Sequence, residues 1–326
     1  MKFDICLPSA MEGFLVPSAF AGPKEIIEYA QLTERLGYHA VWGFDFVNPT
    51  PELGIPDSEI PNWYEVMTTL SYVAAKTNKL RLVAGVIILP NRDPVILAKQ
   101  AATVDQFSDG RLHLGIGLGG RPEFETIQPR SRKIRRGEMM DEKIEALHIL
   151  LDKKNQLASY KGKYVEFENV NLNPKPKQDP FPMFTAAETP APLKRAVKWG
   201  ITPIIRDLDL VVRKEQLKPL LDEVGKTLDD MELTVWADIS IESTQQRAAD
   251  KYLNTRMGHY RNQDRDTVLK GHWVGTVQEV AEKLIRIKNE GVDHVVAMHT
   301  GADTFEEMIE LTHVFAEEVM PIVEKA

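Results

Sequence analysis

Four short stretches of this chain carry residues able to do chemistry. The segment VWGFDF (Val41–Phe46) sets the carboxylate of Asp45 beside Trp42 and Phe44. At a pocket mouth such a group orients a ligand or acts as a base; buried and hydrogen-bonded, it serves the fold instead. The segment LGIGLGG (Leu114–Gly120) is glycine-rich. Glycines at a strand end let a ring or phosphate approach the backbone closely, or simply make a turn. Their spacing is not G-x-G-x-x-G, and the acidic residues that follow do not suit a ribose contact, so a dinucleotide fingerprint is set aside. In AAETPAP (Ala186–Pro192), Glu188 and Thr189 stand just before a helical segment. Backbone N–H groups there, with the hydroxyl, suit an anion such as a terminal phosphate; the alternative is an N-cap by Thr189. The run Arg130–Arg136 is strongly basic, either a solvated loop or an anion contact.

Other chemistries find no support. The eight histidines have no metal-ligand spacing, and His294 and His299, five apart on a strand and its loop, are expected on opposite faces. No G-x-S-x-G elbow or Walker loop occurs. The net charge of −8 argues against nucleic acid or an anionic membrane as partner. No run of about eighteen apolar residues is present to span a bilayer. The N-terminal stretch lacks the apolar region of a signal peptide, and one cysteine, Cys6, allows no intrachain disulfide, so a reducing cytoplasm is the expected compartment.

The elements that must position these residues alternate from end to end. Strands are expected at Lys2–Leu7, His39–Phe44, Leu80–Ile88, Arg111–Ile116, Met183–Ala187, Ile201–Ile205, Glu232–Ile241 and His294–Met298. Amphipathic helices lie between them, including Lys24–Leu36, Val95–Phe107, Gly137–Leu151 and Val277–Asn289, with a last helix, Phe305–Glu318, closed by Pro321. Eight strand–helix units predict an α/β fold, a (β/α)8 TIM barrel, with a doubly wound open sheet as the rival. No linker divides the 326 residues, so residues 1–326 are read as one barrel domain with insertions at the C-terminal face. Tyr160–Phe167 reads as a surface hairpin. Asp250–His272 reads either as a lid insertion over the barrel mouth or as a disordered insert. In such a barrel the site lies at the C-terminal strand ends, which keeps Pro8–Phe14, Asp45–Asn48, Leu89–Asp93, Gly117–Glu123, Glu188–Pro192, Arg206–Asp207, Glu242–Thr244 and His299–Ala302 in view.

In order and spacing, these motifs resemble the luciferase-like flavin monooxygenase family, most closely the bacterial luciferase subunits. The resemblance is carried by Leu89-Pro90, Asp93-Pro94, Val104-Asp105, Ser108-Asp109-Gly110-Arg111 and Leu114–Gly117. It is extended by Val41–Phe46, by Phe184–Ile205, which matches the fifth-strand flavin loop and the strand after it, and by Val268–His272, Val274–Leu284 and Val314–Pro321. It implies an oxidoreductase, a flavoprotein that binds reduced FMN and uses oxygen to oxidise a small organic substrate, often as a homodimer supplied by a flavin reductase. By position it implies cofactor contacts from Gly85, Val86, Gly117, Leu118, Ala187, Glu188 and Thr189, a non-proline cis peptide at Gly85-Val86, and Asp45 as the catalytic mouth carboxylate. A deazaflavin-dependent hydride-transfer enzyme of the same superfamily, and a noncatalytic flavin-binding partner subunit, are the alternatives. The chain departs from the luciferase pattern at Phe46, Gly117, Leu118 and Pro192, where a histidine, a cysteine, a phosphate-binding arginine and a threonine are expected. Arg121 or an arginine of Arg130–Arg136 is the expected substitute at the phosphate.

Overall fold

In the computed structural model, which describes residues 1–9, 21–47, 63–128 and 133–326, eight parallel strands close on themselves. They are β1 (Lys2–Cys6), β2 (Ala40–Gly43), β3 (Arg81–Ile88), β4 (Leu112–Gly117), β7 (Met183–Ala186), β8 (Thr202–Arg206), the split strand β9 (Thr234–Trp236) and β10 (Asp238–Ile241), and β12 (His294–Thr300). The last pairs with the first, Lys2 opposite His294, which completes the barrel. The expected single strand Glu232–Ile241 is therefore interrupted at Ala237, with β9 and β10 both alongside β12. A short strand, β11 (Trp273–Gly275), adds to β10 outside the ring. The antiparallel pair β5 (Ala158–Lys161) and β6 (Glu166–Val170) is the expected hairpin.

Strand alternation divides the apolar residues in two. Phe3, Ile5, Val41, Leu82, Leu114 and Val235 join the large core between sheet and helices. The residues between them fill the barrel: Cys6, Ala40, Trp42, Val83, Phe184, Ile204 and Val296, with Phe44, Val86 and Trp236 partly buried above. That near-continuous burial on both faces is why the strands read as unbroken apolar runs.

The outer helices begin where local chemistry supplies caps. In α3 (Pro94–Phe107), Asp93 accepts hydrogen bonds from the N–H groups of Val95 and Ile96, both at 2.9 Å, and Pro94 occupies the first turn, where no donor is needed. After it, Asp109 and Gly110 turn with positive φ, and the buried Arg111 guanidinium donates to the carbonyls of Ala74, Thr77, Leu80 and Ser108. The Ser-Asp-Gly-Arg signature is thus a joint that holds strand β4 to the neighbouring unit.

One expectation is corrected and one open alternative is narrowed. Pro321 does not close the last helix: α12 (Phe305–Val314) widens into a π turn at Phe315–Val319, and a further helix, Met320–Lys325, carries Pro321 in its first turn. A proline there needs no N–H acceptor, so the chain continues. Asp250–His272 is ordered structure, not an irregular insert: α8 (Gln245–Asn254), α9 (Arg256–Arg261) and α10 (Arg265–Gly271) run in succession. No described helix is long and apolar enough to cross a membrane.

Candidate active site at the barrel mouth

Most sequence-derived candidates converge on the C-terminal ends of β2, β3 and β4. The Gly85-Val86 peptide is cis, as the resemblance implied. Pairing of β3 with β4 slips there, from Ala84 opposite Leu114 to Ile87 opposite Ile116, so both Gly85 and Val86 face the interior. A Cβ on Gly85 would lie 2.2 Å from the Trp42 ring, and one on Gly117 would lie 2.7 Å from a Val86 methyl. Both glycines are therefore demanded by side chains of the protein itself, and Val86, half-buried, is the surface they leave toward the mouth.

Asp45 is buried, and its carboxylate is committed. It accepts the Ile88 N–H at 3.0 Å and the Arg92 Nε–H at 3.2 Å, and its other oxygen takes a second Arg92 donor. Arg92 also pairs with Glu65 at 3.1 Å. Of the roles open to Asp45, the structure supports the hydrogen-bonded one: it ties β2 to the turn after β3 and offers no free oxygen as a base.

The fifth-unit loop is less like an anion cradle than its sequence suggests. Ala187 is buried, its N–H on the Ile204 carbonyl at 2.9 Å, whereas Glu188 and Thr189 are exposed. Thr189 occupies the N-cap position of α6 (Pro190–Trp199) but makes no capping bond. Pro190 and Pro192 carry no N–H, which removes donors from that first turn. Leu118 packs against the main core. Of the earlier segments, residues 10–14, Asn48 and residues 129–132, including Arg130 and Arg132, lie outside the described residues.

The structure adds a cluster that the sequence reading missed. In β12, Ala297 has a positive φ and pairing with β1 slips by one residue, from Val295 opposite Phe3 to Met298 opposite Ile5. That extra residue reverses the alternation, so His294 and His299 both point into the barrel, contrary to the expectation from simple spacing. His299 stacks on Phe44 with ring centres 5.3 Å apart and meets Trp236 edge-on at 6.0 Å. Its Nδ1 is buried with no hydrogen-bond partner. Burial, reinforced by Arg261 and His272 and opposed by Asp238, lowers its pKa to about 4, so the ring is neutral at pH 7.

Beside it, Asp238 is fully buried. Arg261 from α9 reaches it at 3.2 and 3.4 Å and lies over the Trp236 ring, 4.8 Å from its centre. The Tyr252 hydroxyl donates to the same carboxylate at 2.5 Å, and the Asp238 N–H donates to His272 Nδ1 at 3.1 Å. Burial acts to raise the pKa of Asp238, but Arg261, His272 and His299 outweigh it and hold the carboxyl well below the usual range. Asp238 keeps the inward phase of Trp236, with Val235, Ala237 and Ile239 facing the outer core; what the sequence does not show is that Arg261 and Tyr252 come back from later helices to meet it.

At the opposite end, Asp4 bridges His39 Nδ1 and His294 Nε2, each at 2.9 Å, and accepts the Trp42 indole N–H at 2.8 Å. These three side chains bring metal-type ligand atoms within 4.8 Å of one another, and His294 Nε2, although 2.9 Å from Asp4, makes no well-aligned hydrogen bond. A cavity of about 570 Å³ near His113, Phe184 and Trp199 also opens at that end, away from the mouth.

A family model, luciferase-like monooxygenase, matches residues 1–294. The 5,10-methylenetetrahydromethanopterin reductase of Archaeoglobus fulgidus is 28% identical over 228 residues, which is 69% of this chain and 62% of that protein. The oxygenase component of the flavin-dependent trigonelline monooxygenase of Acinetobacter baylyi is 30% identical over 192 residues, 55% of this chain and 48% of that one. The chain thus matches between about half and three-fifths of the length of these relatives. The coenzyme F420 dependent tetrahydromethanopterin reductase of Methanopyrus kandleri has the same fold, with a TM-score of 0.76 at 20% identity over 98% of both chains.

Proposed function

This chain belongs to the luciferase-like monooxygenase family, and from that premise we propose that it is an FMN-dependent monooxygenase acting on a small organic substrate. The observation that carries the reading is the inner surface of the mouth. Phe44, Val86 and Trp236 offer an apolar, aromatic floor suited to a planar ring, and the neutral His299 brings a buried, unpartnered Nδ1 to it. That donor set fits an isoalloxazine, which needs apolar faces and a few polar edge contacts. Bound reduced flavin would supply the electrons that split dioxygen, one oxygen atom passing to the substrate and the other leaving as water.

The side chains provide binding, orientation and protection. Val86 and Phe44 present apolar contact, and Asp45 with Arg92 fixes the turn after β3 beneath it. His299, neutral at pH 7, donates or accepts a hydrogen bond at Nδ1 according to its tautomer. Arg261, drawn down by Asp238 onto Trp236, brings α9 over this side of the barrel and keeps water from it. In this reading Asp250–His272 works as a lid. A separate reductase supplies the reduced flavin, in line with the oxygenase component among the relatives, and the active form is a homodimer.

The matched reductase covers the larger share of this chain, which favours a second reading: hydride transfer from a reduced deazaflavin. Anaerobic mixing with reduced FMN and with reduced F420, followed by oxygen, separates the two. Tight FMN binding with substrate-stimulated oxygen uptake is expected. Oxidation of reduced F420 by a substrate without oxygen uptake, with no FMN binding, would overturn the monooxygenase reading.

A further inference from the structure

Resting on the flavin reading, we propose that Arg136 and Arg213 together bind the cofactor's terminal phosphate: of the basic run Arg130–Arg136 the geometry singles out Arg136, and it adds Arg213, which no motif in the chain points to. Leu118 packs against the core, and Pro190 and Pro192 strip N–H donors from the α6 terminus, so a phosphate dianion there needs other partners.

Arg136 opens α5 (Arg136–Leu151) and reaches back over the β4 loop, donating to the Gly119 carbonyl at 2.9 Å. Arg213, in α7 (Leu210–Asp222), donates to the Glu188 carbonyl and to Gln216 at 2.8 Å. Each has a buried Nε–H with no partner, and neither pairs with a carboxylate among the described residues. By contrast, Arg195 and Arg206 are committed to Asp141 and Asp209.

The two guanidinium groups reach adjacent loops. Strand β4 pairs with β7, Ile116 opposite Thr185, so the turns bearing Gly119 and Glu188 leave the barrel side by side. Arg195 of α6 donates to the Gly137 carbonyl at 3.3 Å, which holds the residue next to Arg136 against the helix that Thr189 leads. Arg121, paired with Glu125 at 3.1 Å, adds positive charge close to Arg136. The exposed Glu188 carboxylate is the opposing charge. Two guanidinium groups held by neutral acceptors, each with a free Nε–H and no carboxylate partner, suit a phosphate monoester, which accepts from several donors at once.

The experiment compares FMN with riboflavin, which differ at this end only by the phosphate, in fluorescence titrations of the oxidised flavins against the whole chain. The wild type is expected to bind FMN at least tenfold more tightly. Arg136→Gln and Arg213→Gln should each weaken FMN about tenfold and leave riboflavin unchanged within twofold; the lysine variants, keeping charge but not the fork, should fall between and guard against misfolding. FMN binding whose preference over riboflavin survives both glutamine variants would overturn the inference alone. A wild type that binds neither flavin would overturn the flavin reading as well.

Discussion

Replacing His294 with glutamine should remove a pH-dependent part of the stability. His294 is buried at the N-terminal end of the barrel, between Asp4 at 2.9 Å and Glu232 at 3.2 Å. Burial disfavours its charge, but these two carboxylates outweigh burial and raise its pKa from 6.5 to about 9. In the unfolded chain it returns to about 6.5. The folded state therefore holds the proton more tightly, and the linked stability is complete below pH 6.5 and lost as pH rises through 9. The difference of about 2.5 between the two values, at 1.36 kcal/mol each, corresponds to roughly 3 kcal/mol. The assay is urea unfolding of the wild type and His294→Gln between about pH 6 and pH 10. Lysine, tyrosine and cysteine titrations are common to both proteins and cancel in the difference. That difference should shrink by about 3 kcal/mol across the range. A gap between the two proteins that stays constant with pH would refute the reasoning, because it would mean that His294 folds uncharged.

Three further outcomes follow from the geometry. Gly85→Ala places a methyl 2.2 Å from Trp42 and should cost about 1–3 kcal/mol in denaturant unfolding, whereas Gly120→Ala, whose nearest neighbour is 3.8 Å away, should be nearly neutral. Asp238→Asn leaves Arg261 without its buried counter-charge; stability should fall by roughly 3 kcal/mol, and limited proteolysis should cut first between residues 255 and 272, so a wild-type digestion pattern would count against the Asp238–Arg261 pair holding that segment down. His299→Phe keeps the stacking on Phe44 and Trp236 but removes Nδ1; turnover should drop about 10²-fold with FMN affinity held within about threefold, and equal losses in both would make the residue structural.

The places where residues could be read correctly share a property: their environment is local. Asp93 caps the helix that starts beside it, Asp109-Gly110 makes the turn it spells, and the apolar runs become strands buried on both faces. Where the reading failed, distant geometry decided. The slip at Ala297 turned His299 inward on the same side of the sheet as His294, and Asp238, inward by plain alternation, gained its role only from Arg261 and Tyr252, which return from later helices. Asp45 was visible as a strand-end carboxylate, but whether its oxygens were free depended on Arg92, which arrives from another loop.

The sequence by itself determined that this chain is an eight-unit barrel of a recognisable family, because strand and helix periodicity, caps and turns are written over a few residues each. Only the tertiary structure decided which polar groups meet. It closed β12 onto β1, spent Asp45 on Arg92, and set His299 beside the Asp238–Arg261 pair on the floor of the mouth. Those contacts join residues tens to hundreds of positions apart, and they depend on bulges and side-chain directions that spacing along a chain does not encode.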